Sequence, residues 1–336
     1  MSHIAAALQP RSVLIATDFS AASEKALRHS LAFARFYGSR FCLAHVVSSL
    51  GLTMAGPGAI AACEEAALHE AAQLEASLIR TGALTGIQHK FIVRQGELWP
   101  ELREIIREES TDLVVVGTHG RHGIVKLFMG SIAEQIFRQA DCPVLTFGPY
   151  SHERPWFNTS STHPTFLFAT DFGHGSLHGL PQAIAAANQF RAKLAFLSIV
   201  PAIPSHTDEH SRNWQEDSRM KTFERLSQLA GVGLDLRPEL YVEFESKRPV
   251  SEKILETADK LRADLIIMGL HGSAQAGVIS HLDLATTYEV VCGAGSPVLT
   301  IGCRSGYDLR PRAAEVTASP WPEADLIRSH GFGLKW

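Results

Sequence analysis

The sequence predicts an α/β protein built from two tandem, doubly wound domains, each with an open parallel sheet. Short apolar runs alternate with helical patterns along the chain, and this order occurs twice. Asp18 in SVLIATDFS recurs as Asp171 in TFLFATDFG, and Gly117 in TDLVVVGTHG recurs as Gly269 in ADLIIMGLHG. CPVLTFG likewise returns as SPVLTIG. Because the separations between these copies agree within two residues, they indicate a tandem duplication of a Rossmann-like domain with about five strands.

The strands are predicted from short runs rich in Val, Ile and Phe, which suit a parallel sheet buried on both faces. In the first half these runs are SVLIAT, FCLAHVV, HKFIVR, DLVVVG and PVLTF. In the second half they are FLFAT, KLAFLSIV, LYVEFES, DLIIMG and PVLTI.

Helical patterns separate the strands, so the connections are expected to be right-handed βαβ crossovers. A parallel strand pair needs such a long crossover, which makes the alternation itself a prediction of parallel pairing. The predicted helices are Ser23–Tyr37, Ala62–Thr81, Trp99–Ser110, Ser131–Ala140, Leu177–Phe190, Ser211–Ala230 and Val250–Leu261.

The domain boundaries follow from the repeat and from a change in composition between its copies. The first domain is assigned to residues 1–148 and the second to residues 165–302. Residues 149–164 carry Pro, Ser, Thr and His without periodicity and are predicted to be the linker. Residues 303–336 are predicted to form an extended C-terminal tail, because their periodicity is weak.

Composition and charge exclude several classes of protein. The chain is 45% hydrophobic and 20% charged, as expected of a globular protein with real cores. A net charge of -4, with no cluster of Lys and Arg, argues against a nucleic-acid partner. No signal-peptide pattern and no apolar run of bilayer-spanning length occurs, so no membrane association is expected. The five cysteines form no C-x-x-C pair, which favours a reducing cytoplasm and argues against a zinc site.

The loop after the fourth strand has the chemistry of a phosphate-binding site. Gly117 and Gly120 would let the backbone approach a ligand closely and present its N–H groups. Gly130 and Ser131 open a predicted helix, whose first N–H groups and partial positive charge favour an anion. Arg121 could add charge-assisted hydrogen bonds. The common phosphate-loop motif G-x-x-x-x-G-K-[ST] is absent from the sequence.

The spacing of this loop, G-x2-G-x9-G-S from Gly117 to Ser131, resembles the nucleotide-binding signature of the universal stress protein family in its ATP-binding branch. VLIATDFS, AHVV and CPVLTF also resemble family segments, and the resemblance covers roughly residues 10–148 and 163–302. It implies an adenine-nucleotide α-hydrolase-like fold, bound ATP accompanied by Mg²⁺, and a regulatory role in the stress response.

The resemblance also implies which residues bind the nucleotide. Asp18 would face the ribose or the adenine edge, the backbone of Val46 would recognise adenine, and Gly130 and Ser131 would hold the β and γ phosphates. Magnesium would be held mainly by the phosphates, because no carboxylate pair marks a metal site in the sequence. The complete set of implied binding residues is Ala16, Thr17, Asp18, Val46, Val116, Gly117, His119, Gly120, Arg121, Gly130, Ser131 and Ile132.

The second half keeps the first part of the loop and loses the second. After the nine residues that follow Gly272, the sequence has Leu282 and Asp283 in place of Gly-Ser. The leucine would crowd the backbone and the aspartate would repel phosphate, so weak or absent ATP binding is expected there. Two structural alternatives stay open: the glycines could serve turns only, and Asp18 and Asp171 could be helix caps.

These features favour a nucleotide-binding regulatory protein over an enzyme. The sequence shows no Ser-His-Asp arrangement and no carboxylate dyad, so any hydrolysis is expected to be slow, with His119 as the candidate base. The alternatives are an ATP hydrolase or adenylyl-transfer enzyme on the same fold, and a nucleotide-free assembly module. PVLTF and PVLTI are expected to be edge strands. The resemblance implies that such strands pair across a dimer, so the two halves are expected to dock as an internal pseudo-dimer. Homodimerisation, the stress concerned and any signalling partner are left open.

Overall fold

The computed structural model describes most of the chain as two compact units. The first unit holds the described residues of Gln9–Val144 together with the strand Leu326–Arg328. The second holds the described residues of Leu145–Gly302. The described residues are 9–48, 57–118, 135–136, 139–151, 163–201, 209–231, 233–245, 248–270, 282, 284–302 and 326–328.

The first unit is a parallel sheet in the order β11-β3-β2-β1-β4, with helices in the crossovers. Sequential strands move outwards from β1, and the chain then returns to place β4 on its other side, as the doubly wound fold requires. Its elements are β1 (Ser12–Ala16), α1 (Ala21–Tyr37), β2 (Arg40–Ser48), α2 (Pro57–Arg80), β3 (His89–Gly96), α3 (Leu98–Glu108), β4 (Leu113–Gly117) and β11 (Leu326–Arg328).

The second unit repeats this arrangement in the order β5-β10-β9-β6-β7-β8. The predicted α/β class with parallel, doubly wound sheets is therefore confirmed in both units. The elements are β5 (Val144–Phe147), β6 (Thr165–Ala169), α4 (His174–His178), α5 (Leu180–Phe190), β7 (Lys193–Val200), α6 (Glu209–Ala230), β8 (Glu239–Phe244), α7 (Val250–Leu261), β9 (Leu265–Leu270), α8 (Leu284–Gly293) and β10 (Val298–Gly302).

The helices of the second unit differ from the prediction at two places. The predicted helix Leu177–Phe190 is two helices, α4 and α5, separated at Gly179. A proline follows at the start of α5, where its missing N–H group costs no helical hydrogen bond. Helix α8 was not predicted, because its sequence LATTYEVVCG is short and rich in β-branched residues, which weakens a helical pattern.

Aromatic and branched side chains from the strands fill the interior of each unit. Leu14, Phe41 and Phe91 are fully buried in the first unit, and Phe168 and Phe196 in the second. The rings of Phe168 and Phe196 meet edge to face with centroids 5.8 Å apart. Such contacts add specific packing to the burial of apolar surface, which stabilises each sheet between its helices.

Three of the described cysteines belong to these interiors. Cys42, Cys142 and Cys292 are buried, whereas Cys63 is exposed on α2. Burial raises the pKa of the Cys142 thiol to about 12 and raises the pKa of Cys42 further. Both thiols therefore stay protonated at neutral pH and pack as small apolar groups instead of acting as nucleophiles.

In the part of the chain that the structure describes, no helix combines the length and the apolar character needed to cross a membrane.

The C-terminal strand β11 adds in parallel to β3, with Leu326 in register with Phe91. One short segment of the predicted extended tail thus covers a strand edge of the first unit.

Candidate functional site

The carboxyl ends of β1, β2 and β4 form a wall of small apolar side chains in the first unit. Ala16 lies in register with Ala44 on β2 and with Val116 on β4. Because side chains alternate along a strand, these three residues point to the same face of the sheet, and so does Val46, two residues after Ala44. Arg94, which is in register with Val46, forms an ion pair with α3. The wall therefore lies on the face that α3 covers.

Asp18 sits in the turn that leads from this wall into α1. Its Oδ1 accepts hydrogen bonds from the N–H group of Ser20 at 3.0 Å and from the hydroxyl of Ser23 at 2.6 Å. Phe19 adopts a left-handed conformation with φ 59°, and its N–H group donates to Thr17 Oγ1 at 2.9 Å. That conformation costs a non-glycine residue on the order of 1–2 kcal/mol. Several polar contacts therefore hold a strained turn in place.

The aspartates brace these turns without being the helix caps. The N-cap of α1 is Ser20, two residues after Asp18. In the second unit the N-cap of α4 is Gly173, and Asp171 Oδ1 accepts from its N–H group at 2.9 Å. A carboxylate offers two oxygens, so bracing the turn with one of them is compatible with a second role for the group.

His45 also contacts this turn, which the sequence did not indicate. Its Nδ1 lies 2.7 Å from the carbonyl oxygen of Thr17, and its ring lies 4.8 Å from that of Phe19 between centroids. The next residue on β2 is Val46, one of the predicted binding residues. A single side chain thus joins the ends of β1 and β2.

The corresponding wall of the second unit is built from larger side chains. Register with Ala169, the counterpart of Ala16, identifies the equivalent positions on the neighbouring strands. Larger side chains at the same positions extend into the space above the sheet that small ones leave open. Where the first unit has Ala44, Val46 and Val116, the second has Leu197, Ile199 and Met268.

Two of these larger residues, Leu197 and Ile199, line a small cavity in the second unit. The cavity at the ends of β6 and β7 has a volume of about 10 Å³. It is lined by Asp171, Leu197, Ile199, Ile254 of α7 and Leu282, among others. A cavity of this size has room for about one water molecule.

Gly269 of the second unit has a packing role. A Cβ atom at this position would lie 2.1 Å from the carbonyl oxygen of Gly175 and 2.8 Å from Cα of Ser176, both in α4. Only a glycine allows the helix to approach β9 so closely. Gly269, near the end of β9, is thus required by the packing of α4 against this strand.

The predicted binding residues divide into two sets. Those on the strand ends come together at the carboxyl edge of the first unit, on β1, β2 and β4 or in the turn after β1: Ala16, Thr17, Asp18, Val46, Val116 and Gly117. The remaining predicted residues lie outside the described part of the chain: His119, Gly120, Arg121, Gly130, Ser131 and Ile132. Among the described residues, no three His, Cys, Asp or Glu side chains are placed to bind a metal ion together.

Comparison with known proteins gives a consistent relationship for both halves of the chain. The model of the universal stress protein family matches residues 10–147 and again residues 163–301. A universal stress protein of Methanocaldococcus jannaschii is 27% identical over 150 residues, covering 40% of this chain and 93% of that protein. Its length corresponds to one of the two repeats.

Solved structures show the same fold over both halves. The crystal structure of a universal stress protein from Archaeoglobus fulgidus covers 87% of this chain and 98% of its own, with a TM-score of 0.60 and 17% identity. Another family member, solved in complex with cAMP, is 15% identical and covers 42% of this chain and 98% of its own, with a TM-score of 0.31. Because the family model matches both repeats, this chain belongs to the universal stress protein family as a tandem, two-domain member.

Proposed function

We propose that the first unit binds ATP, accompanied by Mg²⁺, and that the protein is a regulatory nucleotide-binding protein of the stress response. The observation that carries the proposal is the contrast between the two strand-end walls. Ala44 and Val116 place small side chains at the positions that the larger Leu197 and Met268 occupy in the second unit. The loop that follows this wall of small side chains is also the one with the complete glycine–serine spacing.

The adenosine part of the nucleotide fits the wall of the first unit. A nucleobase is flat and largely apolar, so small buried side chains such as Ala16 and Val46 suit its face. The backbone of Val46 would bond to the edge of adenine. The Asp18 carboxylate would accept a hydrogen bond from a ribose hydroxyl, while its Oδ1 continues to brace the turn.

The phosphates would be held by the loop after β4. Gly120, Gly130 and Ser131 would supply N–H groups, and the helix start would add a partial positive charge. Arg121 would contribute charge-assisted hydrogen bonds. Magnesium prefers oxygen ligands and keeps several waters, so phosphate oxygens suffice to hold it without a dedicated carboxylate site.

The second unit would serve as an internal partner for the first. Leu197 and Leu282 line the small cavity at the corresponding strand ends, which supports a structural role over a second ATP site. Leu145–Phe147, at the end of the first family match, lies in the sheet of the second unit beside β10. The internal pseudo-dimer would form through the final strands PVLTF and PVLTI.

Mass analysis of ligand released from freshly purified protein tests the proposal. The wild type should release adenine nucleotide, and Gly130→Leu should release much less, because the leucine side chain blocks the approach of phosphate to the backbone. Leu282→Met, a volume-conserving change at the counterpart in the second unit, should release as much as the wild type. Equal amounts of nucleotide from the wild type and Gly130→Leu would contradict the assignment of the loop.

A turnover assay separates the regulatory role from catalysis. We expect no sustained multiple turnover of ATP by the purified protein, because the sequence offers no strongly activated base for water. Steady turnover that His119→Ala abolishes, with binding intact, would favour the hydrolase instead. If the protein releases no nucleotide and saturating ATP leaves its melting temperature unchanged, the assembly module is favoured, since bound ligand at 100 times Kd adds about 2.7 kcal/mol of stability.

A further inference from the structure

We propose that His45 is a positioning residue that fixes the Asp18 turn against the end of β2. The proposal concerns the geometry of the turn in the nucleotide-free protein. Its consequence for ATP affinity rests on the function proposed above. Asp18 itself would touch the nucleotide, and His45 acts through it.

The contacts of His45 bracket Asp18 on both sides. Its Nδ1 lies 2.7 Å from the carbonyl oxygen of Thr17, the residue before Asp18. Its ring packs on Phe19, the residue after Asp18, with centroids 4.8 Å apart and planes tilted by 39°. A carbonyl oxygen can only accept, so the imidazole must carry a proton on Nδ1.

The ring of His45 packs on a residue whose backbone conformation is strained. Phe19 holds a left-handed conformation, φ 59°, which a residue with a Cβ atom avoids unless its surroundings impose it. Relaxation of Phe19 towards an ordinary conformation would rotate the peptide that joins it to Asp18 and would move the carboxylate. The ring of His45 packs against the side chain that would have to move.

The second unit provides a natural comparison. Phe172 has nearly the same conformation, φ 60°, and its N–H group donates to Thr170 Oγ1 at 3.0 Å. The position equivalent to His45, one residue after Leu197, is Ser198, which has no ring to place on Phe172. Arg225 of α6 covers that ring instead, with its guanidinium carbon 3.9 Å from the centroid.

The two turns are therefore held from different elements. In the first unit the contact comes from β2, the strand whose next residue is Val46. Since Val46 and Asp18 would contact the same nucleotide, His45 fixes the separation between two of its binding groups. Preorganisation of this kind raises affinity, because the cost of ordering the site is met before the ligand arrives.

Amide hydrogen exchange in the nucleotide-free protein tests the first part. His45→Ser introduces the residue type that the second unit has at the equivalent position, Ser198. It should speed exchange of the Phe19 and Ser20 amides about tenfold or more, because the turn opens more often. The corresponding Phe172 and Gly173 amides serve as internal controls and should not change. Unchanged exchange at Phe19 and Ser20 would overturn the proposal whether or not the protein binds ATP.

Calorimetric titration with ATP tests the consequence for affinity. His45→Ser should weaken binding about tenfold or more, a loss of about 1.4 kcal/mol. His45→Asn keeps a side-chain donor for the Thr17 carbonyl and should recover part of the affinity. His45→Phe keeps the ring contact with Phe19 and loses that donor. Arg225→Ala, which removes the matching ring contact of the second unit, should bind ATP as the wild type does.

The outcomes separate this proposal from the one on which it rests. Faster exchange in His45→Ser with an unchanged Kd for ATP would show that the contact only stabilises the fold, and would overturn the positioning role. A wild type that binds no ATP would refute the proposed function and the effect on affinity with it. The exchange data would then still decide whether His45 fixes the turn.

Discussion

At the scale of single residues, the two copies of the turn after the first strand show how one architecture is kept while its chemistry changes. Asp18 and Asp171 each accept a serine hydroxyl at 2.6 Å. Both turns also contain a left-handed phenylalanine. The difference lies in the neighbours, because His45 and Ser198 occupy equivalent positions on β2 and β7. The same backbone geometry is therefore kept among different neighbouring side chains.

Replacement of Gly269 by alanine should destabilise the second unit. The new methyl group would lie within 2.8 Å of backbone atoms of Gly175 and Ser176, which cannot move independently of α4. Overpacking of this kind costs about 1–3 kcal/mol, measurable by urea denaturation. Gly58→Ala is the matched control, because a Cβ atom there meets nothing within 4 Å and alanine favours the helix. Equal stabilities for the two variants would contradict the packing role.

Partial burial of His178 in α4 should make stability depend on pH. Desolvation, followed by the charge of His174, lowers the pKa of His178 below its usual value of 6.5. The unfolded chain therefore binds the proton more readily, so the free energy of unfolding should fall as the pH drops through about 6.5 and level off below the folded pKa.

His178→Gln should reduce this slope. We would measure urea unfolding at several pH values between about 7.5 and 5 for the wild type and the variant. Identical pH profiles for the two proteins would show that His178 titrates alike in the folded and unfolded chains.

At the scale of secondary-structure elements, local sequence and tertiary contacts make separable contributions. Helix α1 begins at a serine cap and ends at Gly38, whose left-handed conformation, φ 66°, suits glycine. Helix α8 has no comparable sequence pattern and follows Leu282, which lines the small cavity. Its position therefore depends on packing more than on helix propensity.

The cap of α1 can be tested by replacing Ser20. Its side chain accepts the N–H group of Ser23 at 3.4 Å, so Ser20→Ala should lower the free energy of unfolding by about 0.5–2 kcal/mol. Ser20→Gly should cost only a few tenths of a kcal/mol, since glycine leaves the first N–H groups accessible to water. Thermal or urea unfolding of the two variants distinguishes these outcomes, and a larger loss for Ser20→Gly would contradict the capping role.

At the scale of the whole molecule, the duplication gives one chain two copies of a fold, and only the first copy has the complete glycine–serine loop spacing. Calorimetric titration should therefore give one ATP per chain. Leu197→Ala should leave this number unchanged while lowering stability by about 2–5 kcal/mol, since enlarging the cavity restores no phosphate-binding loop. Two equivalent ATP sites per chain would contradict the assignment of the second unit.

Much of the fold could be predicted from the sequence, because the strands are short apolar runs and the duplication supplies each pattern twice. The strand ends of the candidate site were also predictable, since Asp18 and Gly117 follow such runs directly. Helix α8 and the division at Gly179 were missed, because local patterns there are weak or interrupted. The contact of His45 with Thr17 was missed because it joins positions 28 residues apart.

The sequence by itself determined the alternation of strands and helices, the repeat and the spacing of the glycine loop. These are local properties, set by residue type and spacing along the chain. Only the tertiary structure decided which side chains share a face: Ala44 beside Ala16 in one unit, and Leu197 beside Ala169 in the other. The reason is that strand register is fixed when the whole sheet assembles, and a shift of one residue would turn each side chain to the opposite face.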